Sequence, residues 1–213
     1  MSKAAAAKAI GGLTATSKMG CKSYSLPTSA CVTGARMAQV KGSVCSICYA
    51  DRGFYKLYAK TIVPAQNARL ASIESPDWVI NMVTAIGKDK YFRWHDSGDI
   101  QSLAHLEKIA QVCELTPGTR HWLPTREYAI AAMFTATHAV PANLIIRLSA
   151  MFPDVPVKVP AKLAGIPGVA VSNVHADKAA SGMECPAPRQ GNKCLDCRAC
   201  WNRDVESVSY HQH

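Results

Sequence analysis

Lys90-Tyr-Phe-Arg-Trp-His-Asp-Ser-Gly-Asp99 is the stretch whose reading decides the fold. Lys90 to His95 is aromatic and β-prone and reads as a strand, Asp96 to Asp99 as a polar loop, and Ser102 to Glu114 as a helix ended by Pro117 and Gly118. The same unit recurs toward the C-terminus. Arg120-His-Trp-Leu-Pro124 reads as a second strand, with Thr125, Arg126 and Glu127 at its end and a helix from Glu127 to about His138. Asn143-Leu-Ile-Ile-Arg-Leu-Ser149 gives a third strand, broken at Pro153 and Pro156, and Gly168-Val-Ala-Val-Ser172 a fourth, ending in Asn173-Val-His175. Toward the N-terminus, helices are expected over Leu57 to about Ser72 and Asp77 to Ile86, the latter started by Ser75 and Pro76. Strands alternating with helices indicate an α/β fold of βα units with a mainly parallel sheet, as an open sheet or a partial barrel.

Each expected strand ends in polar or charged residues: His95 to Asp99, Thr125 to Glu127, Arg147 to Ser149, and Ser172 to His175. In parallel α/β folds the carboxyl ends of the strands meet at the ligand site, so four such ends imply one polar pocket. For Ser102, and for Asp99 taken alone, capping of the next helix explains the residue equally well. His95 reads equally as a satisfied core histidine or as a proton carrier or ligand.

A chain of 213 residues accommodates one packed domain with an appendage. We expect an N-terminal arm over 1–20, an α/β domain over 21–180 that opens with a cysteine-rich segment, and a cysteine-rich metal-binding tail over 181–213. A hydrophobic fraction of 48% and a charged fraction of 18% are those of a globular protein. No apolar run is long enough to span a bilayer, and Lys8 and the following glycines interrupt the Ala-rich start before a signal-peptide core forms. These features predict a cytoplasmic protein without a membrane partner. The formal net charge of +9 is compatible with nucleic acid, an anionic small ligand, or thiolates to be neutralised. The basic residues are dispersed, with no aromatic-interleaved run of the kind that binds single strands.

Nine cysteines in a reducing compartment do not form a disulfide framework, so they are buried thiols, catalytic thiols or metal ligands. Cys185, Cys194, Cys197 and Cys200 form C-x8-C-x2-C-x2-C within a polar, Pro- and Gly-rich segment that cannot bury thiols for their own sake. Overlapping C-x2-C-x2-C spacing suits the separate irons of a four-iron cluster better than one zinc ion, which usually takes two separated pairs. Cys31, Cys45 and Cys48 form a second set, C-x13-C-x2-C, with Cys21 available as a fourth thiol. Zinc remains an alternative, more strongly for this second set, and a single centre shared by both segments is also open. Cys113, within the apolar pattern of Ile109, Ala110 and Val112, is expected to be a core thiol.

Ser17-Lys-Met-Gly-Cys-Lys-Ser-Tyr-Ser-Leu-Pro27, Cys31-Val-Thr-Gly34, Gly42-Ser-Val-Cys-Ser-Ile-Cys-Tyr-Ala50, Phe92-Arg-Trp-His-Asp-Ser-Gly-Asp99 and Cys194-Leu-Asp-Cys-Arg-Ala-Cys-Trp201 together resemble the bacteriophage gene product 88 family. The resemblance covers about residues 17–201 and implies a viral protein acting in the cytoplasm of an infected bacterium, with no activity attached. A weaker resemblance is to radical S-adenosylmethionine enzymes, which place a three-cysteine four-iron cluster before a partial βα barrel. It implies that Cys31, Cys45 and Cys48 hold such a cluster, that Ser97, Gly98 and Asp99 meet the methionyl ammonium, and that the C-terminal four thiols hold an auxiliary cluster. The sequence departs from that family in having C-x13-C-x2-C for C-x3-C-x2-C and Asp99 where a glutamate is usual. On this reading Arg126 or Arg147 would pair with the ligand carboxylate. The expectation is an iron–sulfur protein with one or two clusters, S-adenosylmethionine as a ligand and a radical-enzyme activity. The alternatives are a zinc-stapled module that binds protein or nucleic acid, and an electron-transfer protein without substrate.

Overall fold

The structure, a computed structural model, describes residues 1–212 apart from the side chain of Phe54. Eight strands form one sheet: β1 (Thr14–Thr16), β2 (Cys21–Tyr24), β3 (Tyr91–Trp94), β4 (Arg120–Thr125), β5 (Leu144–Ser149), β6 (Val169–His175), β7 (Met183–Glu184) and β8 (Ser207–His211). Their order is β1-β2-β3-β4-β5-β6-β8-β7. Only the β1–β2 pair is antiparallel. From β2 to β6 the order in space follows the order in sequence. Successive right-handed crossovers therefore leave the helices on one face. The sheet is open, with β1 and β7 at its edges.

Among the described residues seven α-helices accompany it: α1 (Lys3–Ala9), α2 (Val32–Ala38), α3 (Gly53–Leu57), α4 (Ala59–Ser72), α5 (Trp78–Ile86), α6 (Leu103–Leu115) and α7 (Tyr128–Thr135). Ser102 caps α6, its hydroxyl accepting from the His105 N–H at 3.1 Å. Period-2 alternation divides the strands between two cores. Phe92, Trp94, Leu123, Leu144, Ile146 and Leu148 point to the helices, against Trp78 and Met82 of α5 and Phe134 of α7. Trp122, Ile145, Ala170 and Val208 point to the opposite, inner face. Among the described residues no α-helix contributes to the cluster on that face. It is covered by Cys200 and Trp201 of the C-terminal segment together with Met19.

The expected strands and helices are present, with ends displaced by a few residues. Residues 1–20, expected as an arm without regular structure, instead carry α1 and β1. Ala6 and Ile10 are buried because α1 lies against α5. Residues 181–213 are likewise no appendage: β8 pairs with β6 from Val171–Ser207 to His175–His211, so the tail completes the sheet. Among the described residues no helix is long and apolar enough to cross a membrane.

Candidate metal centres

The first thiol set is built at the carboxyl ends of the strands. After β2, the Leu26 N–H donates to the Ser97 carbonyl at 2.9 Å, and Ser97 Oγ returns a bond to the Leu26 carbonyl at 2.8 Å. Gly98 is required here. Its φ is +76°, and an added Cβ would lie 2.5 Å from the Leu26 Cβ. The chain then runs to Cys31, at the N-terminal boundary of α2, and on to Cys45 and Cys48 in a tight turn closed by Cys48 N–H to the Cys45 carbonyl at 3.2 Å.

Two anchors hold this loop to the sheet. The Glu127 carboxylate accepts from the Thr33 N–H at 2.7 Å and from the Thr33 hydroxyl at 2.8 Å, tying α2 to the end of β4. The Val44 N–H donates to the Met151 carbonyl at 2.9 Å, tying the second half to the loop after β5.

The three thiols share one space. A methyl placed on Gly34 would lie 3.5 Å from Cys31 Sγ and 3.9 Å from Cys45 Sγ. Cys31 interacts electrostatically with Cys48 and Cys45, and with Asp99 and Arg126. Asp99 is buried and held from three sides: Oδ1 accepts from the Ile100 N–H at 2.8 Å and from the Thr125 hydroxyl at 2.6 Å, and Oδ2 from the Arg126 N–H at 2.8 Å. Burial outweighs these bonds and raises its carboxyl to about 6. The Arg126 Nε–H donates to the Ala150 carbonyl at 3.0 Å. Its charge opposes the rise in the thiol pKa values.

The second set lies on the inner face. Cys185, Cys194, Cys197 and Cys200 line one cavity together with Pro186, Trp201 and Val208. The knuckle closes through Cys197 N–H to the Cys194 carbonyl at 2.8 Å, with Leu195 in the left-handed region at φ 43°. Cys194 N–H donates to the Lys18 carbonyl at 2.8 Å and Cys185 N–H to the Ser209 carbonyl at 2.8 Å. Cys200 Sγ is 3.1 Å from the Tyr210 hydroxyl. Cys21, available by sequence to the first set, belongs beside this one: it packs against the same apolar cluster as Cys185, Cys194 and Cys197, and Cys194 raises its pKa through like charge.

Burial is the leading cause of a raised pKa at Cys21, Cys31, Cys45, Cys48, Cys194 and Cys200, reaching about 12 at Cys31 and about 11 at Cys200. Such thiols are poor nucleophiles at neutral pH, and a bound cation is what would ionise them. All nine cysteines are free. The thiols share pockets without closing on a point, and among the described residues no three His, Cys, Asp or Glu side chains form a single-ion site.

Of the expected ligand-binding residues, Asp99 and Arg126 stand beside the first thiol set. Ser97 and Gly98 instead pack the β3 loop onto Leu26. Arg147 is on the inner face, where its guanidinium donates to the carbonyls of Cys200, Val171, Ala199, Asn202 and Val205 at 2.8 to 3.1 Å. It holds the C-terminal segment rather than a ligand carboxylate. Glu127 was legible only as a polar strand end, and its link to Thr33 required the fold. Cys113 is a buried core thiol, as expected. His211 closes β8 beside His175, and His213 lies outside the described residues.

A family model described as Gene product 88 matches residues 2–203. No curated protein and no solved structure matches the chain, so the weaker resemblance to radical S-adenosylmethionine enzymes has no counterpart in these comparisons.

Proposed function

The chain belongs to the bacteriophage gene product 88 family, and we propose that this member is an iron–sulfur protein whose first thiol set is an open, ligand-binding centre of the radical S-adenosylmethionine type. The observation that carries the reading is the meeting of Cys31, Cys45 and Cys48 with Asp99 and Arg126 at the carboxyl ends of the strands. Three thiols leave one metal position for a small molecule, whereas the four-thiol cavity under Trp201 suits a closed centre. High thiol pKa values favour metal ligation over thiol nucleophilic catalysis. The overlapping C-x2-C-x2-C of Cys194, Cys197 and Cys200 favours a polynuclear centre over zinc.

In this reading Cys31, Cys45 and Cys48 hold one cluster, and Cys185, Cys194, Cys197 and Cys200 the other. The first would supply an open coordination position and an electron. The chain's own residues do the rest. Arg126 lends positive charge beside the ligand carboxylate, Asp99 Oδ2 keeps acceptor capacity for an ammonium, and Glu127 fixes the loop that carries Cys31.

Anaerobic purification should give brown protein with iron and acid-labile sulfide in near-equal amounts. Incubation with S-adenosylmethionine and a one-electron reductant should then yield 5′-deoxyadenosine. Colourless protein holding only zinc would make this a zinc-stapled module. Intact clusters that neither bind nor cleave the sulfonium compound would leave an electron-transfer role.

A further inference from the structure

Arg147 and Arg93, both on the inner face, are opposites. Arg147 spends its donors on five carbonyls, whereas Arg93, on β3, has no full-strength partner. Its Nη1 approaches the Met19 sulfur at 3.5 Å, its Nη2 lies 3.4 Å from the Tyr49 hydroxyl, and its Nε is buried without an acceptor. The guanidinium is fixed 4.5 Å over the Trp122 ring, and Trp122 Nε1 is a second buried donor without a partner. The charged neighbour on the same strand end, Asp96, favours the Arg93 charge through its field but makes no hydrogen bond or ion pair with it among the described residues. Its oxygens accept from the Ser23 hydroxyl at 2.6 Å and the Tyr55 hydroxyl at 2.7 Å, and the ion pairs among the described residues are Lys22–Asp89 and Arg189–Glu184.

The guanidinium is half-buried, but its Nε–H is buried without an acceptor, which costs free energy unless something else supplies one. Nε and Nη2 are the side edge of the fork, which presents two parallel N–H groups to a planar oxyanion. The atom now near that edge is the hydroxyl of Tyr49, a residue of the cysteine loop that is 49% exposed. Its hydroxyl bonds the Asp96 carbonyl, so it sits as a cover over Arg93. On either side lie Cys48, next to Tyr49 in the chain, and Cys200, held by the Tyr210 hydroxyl and stacked through Tyr210 on Trp122.

We propose that the inner face between the two thiol sets binds a small organic carboxylate through the Nε and Nη2 edge of Arg93, over Trp122, with Tyr49 as the displaceable cover. The site is made of Arg93, Trp122 and Tyr49 and does not depend on what the cysteines hold.

Calorimetric titration of the full-length, anaerobically purified protein with benzoate tests it, with the neutral isostere benzamide as control. Benzoate should bind saturably and benzamide should not. Arg93→Met should weaken benzoate at least about tenfold, Arg93→Lys should weaken it less because charge survives without the planar fork, and Tyr49→Phe should bind at least as tightly as the parent. Near-ultraviolet circular dichroism and metal content establish that each variant is folded. Failure of benzoate to saturate the parent, equal binding of benzamide, or folded Arg93→Lys and Arg93→Met variants with parental affinity would overturn the site.

Discussion

Gly98 shows how much one residue carries. Its left-handed φ and the contact with Leu26 exclude any side chain, so Gly98→Ala should cost about 2 kcal/mol or more in urea unfolding and disturb Asp99 next to it. Buried titratable groups give the protein its pH response. Burial lowers His95 to about 4 and His121 to about 3, while an unfolded histidine titrates near 6.5. The unfolded chain therefore takes up protons first as the pH falls, and stability drops from about pH 6.5 toward 4. Asp99 acts oppositely: raised from 3.8 to about 6, it binds its proton first in the folded state, so its contribution is lost as the pH rises through 6. Two histidines outweigh one carboxyl, and urea unfolding should show a net loss of stability from pH 7 to pH 4.5. His95→Asn should flatten that slope, since asparagine tolerates the φ of 55° at this position, and Asp99→Asn should steepen it. An unchanged slope in both variants would contradict the assignment.

At the scale of elements, the C-terminal segment depends on Arg147. Arg147→Met would strand five carbonyls, two of them in buried bonds, and should destabilise the protein by about 3 kcal/mol or more, with protease cleavage appearing within residues 185–205 before the helical core opens. Removing the Glu127 carboxylate in Glu127→Ala should free α2, lowering metal content at the first set while leaving the second intact. The repeat from β3 to β6 was legible because each strand is a short β-prone run followed by turn residues and a periodic helix. β2 was not legible, because Cys21 to Tyr24 is half polar and becomes a strand by pairing with β1 and β3. α1 was hidden for a related reason: its sequence is mostly alanine, and its burial against α5 is a long-range event. The thiols and Asp99 could be picked out by residue type and spacing. Arg147 could not be separated from a ligand-binding arginine, because the carbonyls that satisfy it come from residues 24 to 58 positions away.

Across the whole molecule, the two cysteine sets, which by sequence alone were compatible with one shared centre, occupy different places. One set sits at the carboxyl ends of the strands and the other on the inner face, with Arg93 between them. The division predicts separable losses: Cys48→Ser should empty the first set alone, and Cys197→Ser should empty the second and loosen the tail. Formal charge is consistent with this economy, since ionised thiols would offset most of the +9 before any metal is counted. The most direct measurement is iron and acid-labile sulfide per chain in anaerobically purified parent, Cys48→Ser and Cys197→Ser proteins. Two four-iron clusters predict about eight irons in the parent and about half in each variant that remains folded. Parent protein containing zinc but no iron, or complete loss of iron from Cys48→Ser while Cys197→Ser loses all of it too, would contradict two separate iron–sulfur centres.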